Sequence, residues 1–127
     1  MCGDRIVAFE AVGETEVRVR VIGSKGSTEF EALVDTGATF TKIPKSSASE
    51  AGIEPKYEVD VKLADGRVVQ RMLGLADVEL EGVRRPVLVA VSPDGERPIL
   101  GYTALENLGF KVNPITRRLE RARAVEY

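Results

Sequence analysis

Valine alternates with charged residues over residues 16–21, and this period of two predicts a β-strand with one buried face. A turn at residues 23–26 leads into residues 28–34, where Phe30, Ala32 and Val34 again alternate with polar residues. The two segments predict a β-hairpin. Because the second strand ends in consecutive apolar residues, we expect it to be buried on both faces just before Asp35.

The rest of the chain is also dominated by strand patterns. Further strands are predicted at residues 57–63, 67–80, 83–91, 110–112 and 118–122, with a bulge or bend at Gly74 and hairpin turns at Glu81-Gly82 and Pro93-Asp94-Gly95. A short helix is predicted after Pro44, ending at Gly52. We interpret residues 1–127 as a single domain.

Two short segments point to a specific site. Asp35-Thr36-Gly37-Ala38 directly follows the buried strand, and Pro98-Ile99-Leu100-Gly101 precedes a late helical segment at residues 102–108. An isolated Asp-Thr-Gly is most often a polar turn, because Asp and Gly favour turns. The order of the two segments and the hairpins between them favour a functional site instead.

These segments resemble the retropepsin-like aspartic proteases, the single-domain, retroviral-type family, in a cellular or prokaryotic-type member. The resemblance covers about residues 15–112. It implies a mainly β, closed-barrel-like acid-protease domain with one late short helix. It also implies a homodimer, because the chain has one Asp-Thr-Gly and the second carboxylate must come from another copy.

The same resemblance implies roles for individual residues. Asp35, Thr36 and Gly37 would be catalytic: the threonine hydroxyls would bond across the two-fold axis, and the glycine would let the backbone approach the carboxylates. The implied substrate-binding residues are the following: Ala38, Thr39, Ile99 and, at the tip of the flap hairpin (residues 59–72), Ala64, Asp65 and Gly66. An ordinary hairpin turn is the alternative for that tip.

The chain departs from the viral pattern at both ends of the site. Thr39 and Tyr102 stand where viral relatives often have an acidic residue and an arginine, so both members of an ion pair are missing. The flap tip also lacks multiple glycines. Residues 113–127 extend beyond the resemblance, and we expect them to form an extra terminal hairpin or dimer segment.

Two like-charged carboxylates a few ångströms apart do not both ionise easily, so the implied pair would share a proton and titrate as a unit. Activity is therefore expected to peak at acidic to mildly acidic pH. Four apolar residues are candidates for the cleft wall and suggest a preference for bulky apolar side chains beside the cut: Ile43, Met72, Leu73 and Ile99.

Composition narrows the chemistry independently. The 127 residues contain no His and one Cys, which excludes Ser-His and Cys-His pairs and imidazole metal ligands. The implied mechanism needs no metal and no cofactor. The lone Cys2 favours a reducing, cytoplasmic location. The chain has a net charge of -2 and no apolar stretch of roughly 20 residues, so neither a nucleic acid nor a membrane is an expected partner.

The sequence thus predicts an aspartic endopeptidase that acts on a peptide or protein substrate as a homodimer. One alternative stays open, a catalytically weak dimeric peptide-binding or scaffold module with the same fold. Sequence patterns do not separate these functions, because both need the same cleft.

Overall fold

The computed structural model describes the backbone of residues 5–6 and the whole of residues 15–126. The strands of these residues are β1 (Arg5–Ile6), β2 (Glu16–Gly23), β3 (Gly26–Val34), β4 (Thr41–Pro44), β5 (Tyr57–Lys62), β6 (Val68–Leu80), β7 (Val83–Ser92), β8 (Ile99–Leu100), β9 (Phe110–Val112) and β10 (Leu119–Arg121). The helices are α1 (Lys45–Ala51) and α2 (Tyr102–Leu108). Cys2 and Tyr127 lie outside the described residues, so the inference from Cys2 stays a prediction.

The predicted hairpin is formed by β2 and β3, which pair antiparallel from Glu16↔Leu33 to Gly23↔Gly26. Val17, Val19 and Val21 are buried, whereas Arg18 and Arg20 are exposed. The alternation in the sequence therefore corresponds to an inner and an outer face, as expected for a strand with one face in the core. The prediction that β3 is buried on both faces just before Asp35 was wrong, since Ala32 is buried but Leu33 and Val34 are only partly buried.

Seven strands form a sheet that closes on itself. Their order is β2-β3-β8-β4-β7-β6-β5, and the additional pairing of β2 with β6 joins the two sides into a ring. Of the seven strands, β5 lies outside this ring and pairs with the first part of β6. The prediction of a mainly β, closed-barrel-like domain is confirmed, and closure removes most exposed strand edges.

Of the bulge or bend predicted at Gly74, the bulge was wrong. β6 pairs with β7 without interruption from Met72↔Val91 to Leu80↔Val83, and Gly74 lies opposite Val89. A Cβ at Gly74 would lie 2.8 Å from the carbonyl oxygen of Glu54. The glycine is therefore needed for a close approach of a neighbouring loop, which is the other common reason for glycine in a strand.

Both predicted helices are present. The helix α1 follows Pro44 and ends at Gly52, whose φ of 77° is left-handed. Its first turn is capped from a distant loop, because Asp94 Oδ1 accepts a hydrogen bond of 2.9 Å from the backbone N–H of Ser46. This bond from Ser46 holds the pKa of Asp94 below its ordinary value.

The late helix α2 contributes Ala104, Leu105 and Leu108 to the core. After it, β9 and β10 form an antiparallel hairpin, and β1 pairs with the other edge of β10. The chain beyond Val112 therefore folds back on the same molecule as a small three-stranded sheet. Within the described residues, neither helix has the length and apolar character that a membrane span requires.

Candidate active site

Asp35 lies in a turn directly after β3, and its carboxylate is held by its own backbone. The N–H of Gly37 donates to Asp35 Oδ1 at 2.9 Å, and the N–H of Ala38 donates to the Asp35 carbonyl at 3.1 Å. The N–H of Asp35 donates to the carbonyl of Leu100 at 3.1 Å. The backbone of Asp35 is therefore fixed to the inner strand β8, its carboxylate is held by the Gly37 N–H, and the residue stays only partly buried.

A second set of bonds fastens the turn to the start of α2. The N–H of Tyr102 donates to the Ala38 carbonyl at 2.7 Å, and the Thr103 hydroxyl donates to the Thr39 carbonyl at 2.8 Å. The Tyr102 hydroxyl instead donates to Glu106. In this chain, hydrogen bonds to the backbone carbonyls of Ala38 and Thr39 hold the turn against α2.

Gly101 is required where the turn and α2 meet. A Cβ at this position would lie 2.5 Å from the carbonyl oxygen of Phe40 and 3.0 Å from that of Ala38. The N–H of Gly101 donates to the hydroxyl of Thr41, which is buried. The residue pair Leu100-Gly101 therefore brings α2 into direct contact with the backbone of the Asp35 turn.

The Asp35 turn and the flap hairpin line one cavity of about 630 Å³. The cavity is bordered by the Asp35 turn, by strands β4, β7 and β8, and by the flap hairpin. Its lining residues are Asp35, Gly37, Ala38, Thr39, Phe40, Lys42, Asp60, Val61, Lys62, Leu63, Ala64, Arg71, Ala90 and Ile99. This volume falls in the usual range of ligand-binding clefts.

The cavity brings together most residues that the sequence indicated. Of the predicted catalytic and substrate-binding residues, it is lined by Asp35, Gly37, Ala38, Thr39, Ala64 and Ile99. Thr36 is exposed beside it and does not line it. Asp65 and Gly66 form the tip of the flap hairpin and also lie outside the lining.

The flap tip is stabilised by its own hydrogen bonds. The N–H of Leu63 donates to the Arg67 carbonyl at 2.7 Å, and Gly66 adopts a left-handed φ of 91°. The Asp65 carboxylate accepts hydrogen bonds from the backbone N–H and from the side chain of Arg67. These bonds, the backbone one most strongly, hold the pKa of Asp65 below its ordinary value. The tip is thus an ordered turn built without a run of glycines.

Of the four apolar residues expected in the cleft wall, three do not line the cavity. Ile43 and Leu73 are buried in the interior, and Met72 is exposed away from the cavity, so only Ile99 lines it. Ile43 and Leu73 point inward because the ring of strands needs apolar residues on its inner face. Other apolar residues line the cavity, among them Phe40, Val61 and Leu63, together with charged residues.

Sequence reasoning missed four charged residues that line the cavity, Lys42, Asp60, Lys62 and Arg71. It also missed Glu96, which pairs with Lys42 and Arg71. One signal was present, since Lys42 interrupts the otherwise uncharged segment of residues 39–44. Arg71 and Glu96 gave no such signal, because charged residues are common in exposed hairpins and turns. Within the described part of the chain, no group of three metal-ligating acidic or sulfur side chains occurs.

Comparison with known families agrees with this geometry. Residues 21–107 match the sequence family described as "gag-polyprotein putative aspartyl protease". The chain belongs to this family. The matched range contains both the Asp35 turn and most of α2.

Among solved structures, the chain is similar to EIAV protease complexed with the inhibitor HBY-793. The TM-score is 0.66 at 20% sequence identity, and the match covers 84% of this chain and 99% of that one. The chain therefore has the retropepsin-like fold over nearly the full length of that protease. No curated protein sequence matches the chain. Family membership and fold together support protease function.

Proposed function

We propose that the protein is an aspartic endopeptidase that hydrolyses peptide bonds as a homodimer. The observation that supports this most strongly is the position of Asp35. Its carboxylate is fixed by Gly37 at the end of an inner strand and lines a cleft that also contains the flap hairpin. Such rigid placement is what acid–base catalysis requires of its reacting groups.

The second carboxylate is assigned to Asp35 of another copy. Among the described residues that line the cavity, the other carboxylate is Asp60, which is exposed on the flap hairpin. Unlike Asp60, Asp35 is bonded through its backbone N–H to β8. Two symmetric copies of the chain would therefore present two equally rigid carboxylates. Thr36 is exposed next to Asp35, where its hydroxyl is free to bond to the partner chain.

In the proposed mechanism, one carboxylate of the pair is ionised and the other is protonated. The ionised carboxylate takes a proton from a water molecule, and the oxygen of that water attacks the scissile carbonyl carbon. The protonated carboxylate donates its proton to the carbonyl oxygen. Proton transfer to the amide nitrogen then breaks the C–N bond without a covalent enzyme intermediate.

The substrate is proposed to bind as an extended peptide between the Asp35 turn and the flap hairpin. Ala38, Thr39, Ala64 and Ile99 line the cleft and are the proposed contacts. Backbone groups at strand edges recognise extended peptides by adding a strand, which places successive side chains on opposite sides.

The active species is expected to be a two-fold dimer. Its interface should bury at least roughly 1,200–2,000 Å², the range of stable interfaces. Sedimentation velocity and activity should therefore change together on dilution, with cleavage lost as the dimer dissociates. A protein that sediments as a monomer at concentrations where it is fully active would contradict the dimer.

Cleavage of a peptide library should survive strong chelators and thiol-blocking reagents. It should be inhibited by peptide mimics that carry a hydroxyl in place of the scissile carbonyl, because they place an oxygen between the carboxylates. The measurement is the initial rate with each reagent. Chelator inhibition that a metal reverses would contradict the proposal. Tight binding of peptides without cleavage would favour the alternative of a peptide-binding module.

A further inference from the structure

A charged cluster forms part of the cleft wall. Lys42 Nζ lies 3.1 Å from Glu96 Oε1, and an Arg71 guanidinium nitrogen lies 2.8 Å from the same oxygen. The Arg71 side chain is 11% exposed, the Lys42 side chain 21% and the Glu96 side chain 38%. Two largely buried cations therefore share one carboxylate, and the cluster carries one excess positive charge.

Strand register places the cluster close to the proposed catalytic residue. In the ring, Lys42 lies between Ala90 of β7 and Ile99 of β8, and Ile99 lies beside Leu33, two residues before Asp35. Adjacent strands are about 4.8 Å apart, so Lys42 is roughly 10 Å from the strand that ends in Asp35. Side chains on one face of an extended peptide recur about every 7 Å. A residue within three positions of the scissile bond could therefore reach the cluster.

The local field of the cluster is positive. Partial burial raises the pKa of Glu96, but the hydrogen bond from Lys42 and the charge of Arg71 outweigh it and hold the pKa below its ordinary value. Glu96 is therefore ionised at neutral pH. Its single negative charge offsets one of the two cations, so the cluster keeps a net charge of +1. On the flap hairpin, Asp60 and Lys62 also line the cavity and contribute one charge of each sign. The Asp35 carboxylate lines the same cavity, but β8 lies between the strand that precedes it and β4, which carries Lys42.

A purely structural role would not need this imbalance. One arginine paired with one glutamate would already connect the flap hairpin to the loop at Glu96 without excess charge. Burying an additional cation is unfavourable unless an anion compensates it. Lys42 and Arg71 both line the cavity, so an anion that compensates the second cation would bind inside the cleft.

We propose that Lys42 and Arg71 form a specificity subsite that binds an acidic side chain of the peptide substrate near the scissile bond. This inference rests on the proposed function, since it assigns a substrate class to the same cleft. The substrate would contain Asp or Glu at one fixed position within three residues of the cut. Lys42, with one partner and a flexible stem, would be the main contact.

The test uses pairs of peptides that differ only by Glu or Gln at each position within three residues of the cut. At one position, kcat/KM for the Glu peptide should exceed that for the Gln peptide by roughly tenfold, the usual effect of a charge-assisted hydrogen bond. Lys42→Met should bring this ratio close to one. Glu96→Gln should raise the ratio, because it leaves both cations uncompensated.

The ratio of kcat/KM for the Glu and Gln peptides should fall in Lys42→Met and rise in Glu96→Gln. These opposite shifts distinguish substrate recognition from a structural role. A structural role would lower cleavage of both peptides in both variants and leave their ratio unchanged. The matched control is Lys56→Met, which removes an exposed lysine that pairs with Glu54 outside the cavity. It should leave the ratio at the wild-type value.

Binding of fluorescently labelled peptides to the Asp35→Asn protein, measured by anisotropy, separates failure of the subsite from failure of the proposed function. Cleavage with a Glu/Gln ratio of one at every position would overturn the subsite alone. Preferential binding of the Glu peptide without cleavage by the wild type would support the subsite and overturn the protease. Absence of both binding and cleavage would overturn both proposals.

Discussion

Replacing Asp35 with asparagine is expected to lower the rate of peptide cleavage by roughly 10²–10⁴-fold or more, the usual contribution of acid–base groups. The substitution removes the base and the shared proton from both chains of the dimer. Asparagine keeps an oxygen that can accept the 2.9 Å bond from the Gly37 N–H, so the turn should keep its shape. Steady-state kinetics and sedimentation of the variant are the measurements. Appreciable cleavage by a pure Asp35→Asn protein would show that the chemistry lies elsewhere.

Asp60→Asn is the matched variant, because Asp60 is the other carboxylate among the described residues that line the cavity. Two Asp35 residues across a dimer axis require that Asp60→Asn keep substantial activity. If it abolished cleavage as completely as Asp35→Asn, a carboxylate pair within one chain would be indicated instead.

Mixing the wild type with the Asp35→Asn protein tests the shared site directly. After subunit exchange at equal concentrations, about a quarter of the dimers contain two wild-type chains. Activity should then fall to about a quarter of that of the same total concentration of wild type, whereas independent chains would give about half.

Gly101→Ala is expected to be the most damaging single-atom addition near the site. Its backbone has a φ of -91°, which alanine adopts without strain, so the effect is purely steric. The new Cβ would meet the Phe40 carbonyl oxygen at 2.5 Å, and the backbone of the Asp35 turn would have to move. We expect a loss of at least roughly 1–3 kcal/mol in the free energy of unfolding, as for overpacking in a core, together with reduced cleavage.

Denaturant unfolding of Gly101→Ala and Gly37→Ala compares two glycines of the same turn region. At Gly37, the nearest atom to an added Cβ is Asp35 Oδ1 at 3.3 Å, and φ is not left-handed. Gly37→Ala should therefore lose much less stability. Equal stability of Gly101→Ala and the wild type would contradict the close approach of α2 to the turn.

Several elements could be predicted because their causes are local. The alternation of Val17, Val19 and Val21 and the left-handed glycines at Gly52 and Gly82 act over a few residues. Gly74 shows the limit of this reasoning. A glycine within a strand indicates either a bulge or a close neighbour, and that neighbour, Glu54, is 20 positions away in the sequence.

The sequence by itself determined that one carboxylate follows the apolar end of a strand and that no second Asp-Thr-Gly exists. From that, the fold family and the expectation of a dimer follow. Only the tertiary structure decided which side chains line the cleft. Lys42 and Arg71 meet Glu96 across separations of 54 and 25 residues, so their shared bond depends on how β4, β6 and a loop are arranged in the closed ring. Ile43 lies next to Lys42 in the sequence yet faces the core, because neighbouring residues of a strand point to opposite faces.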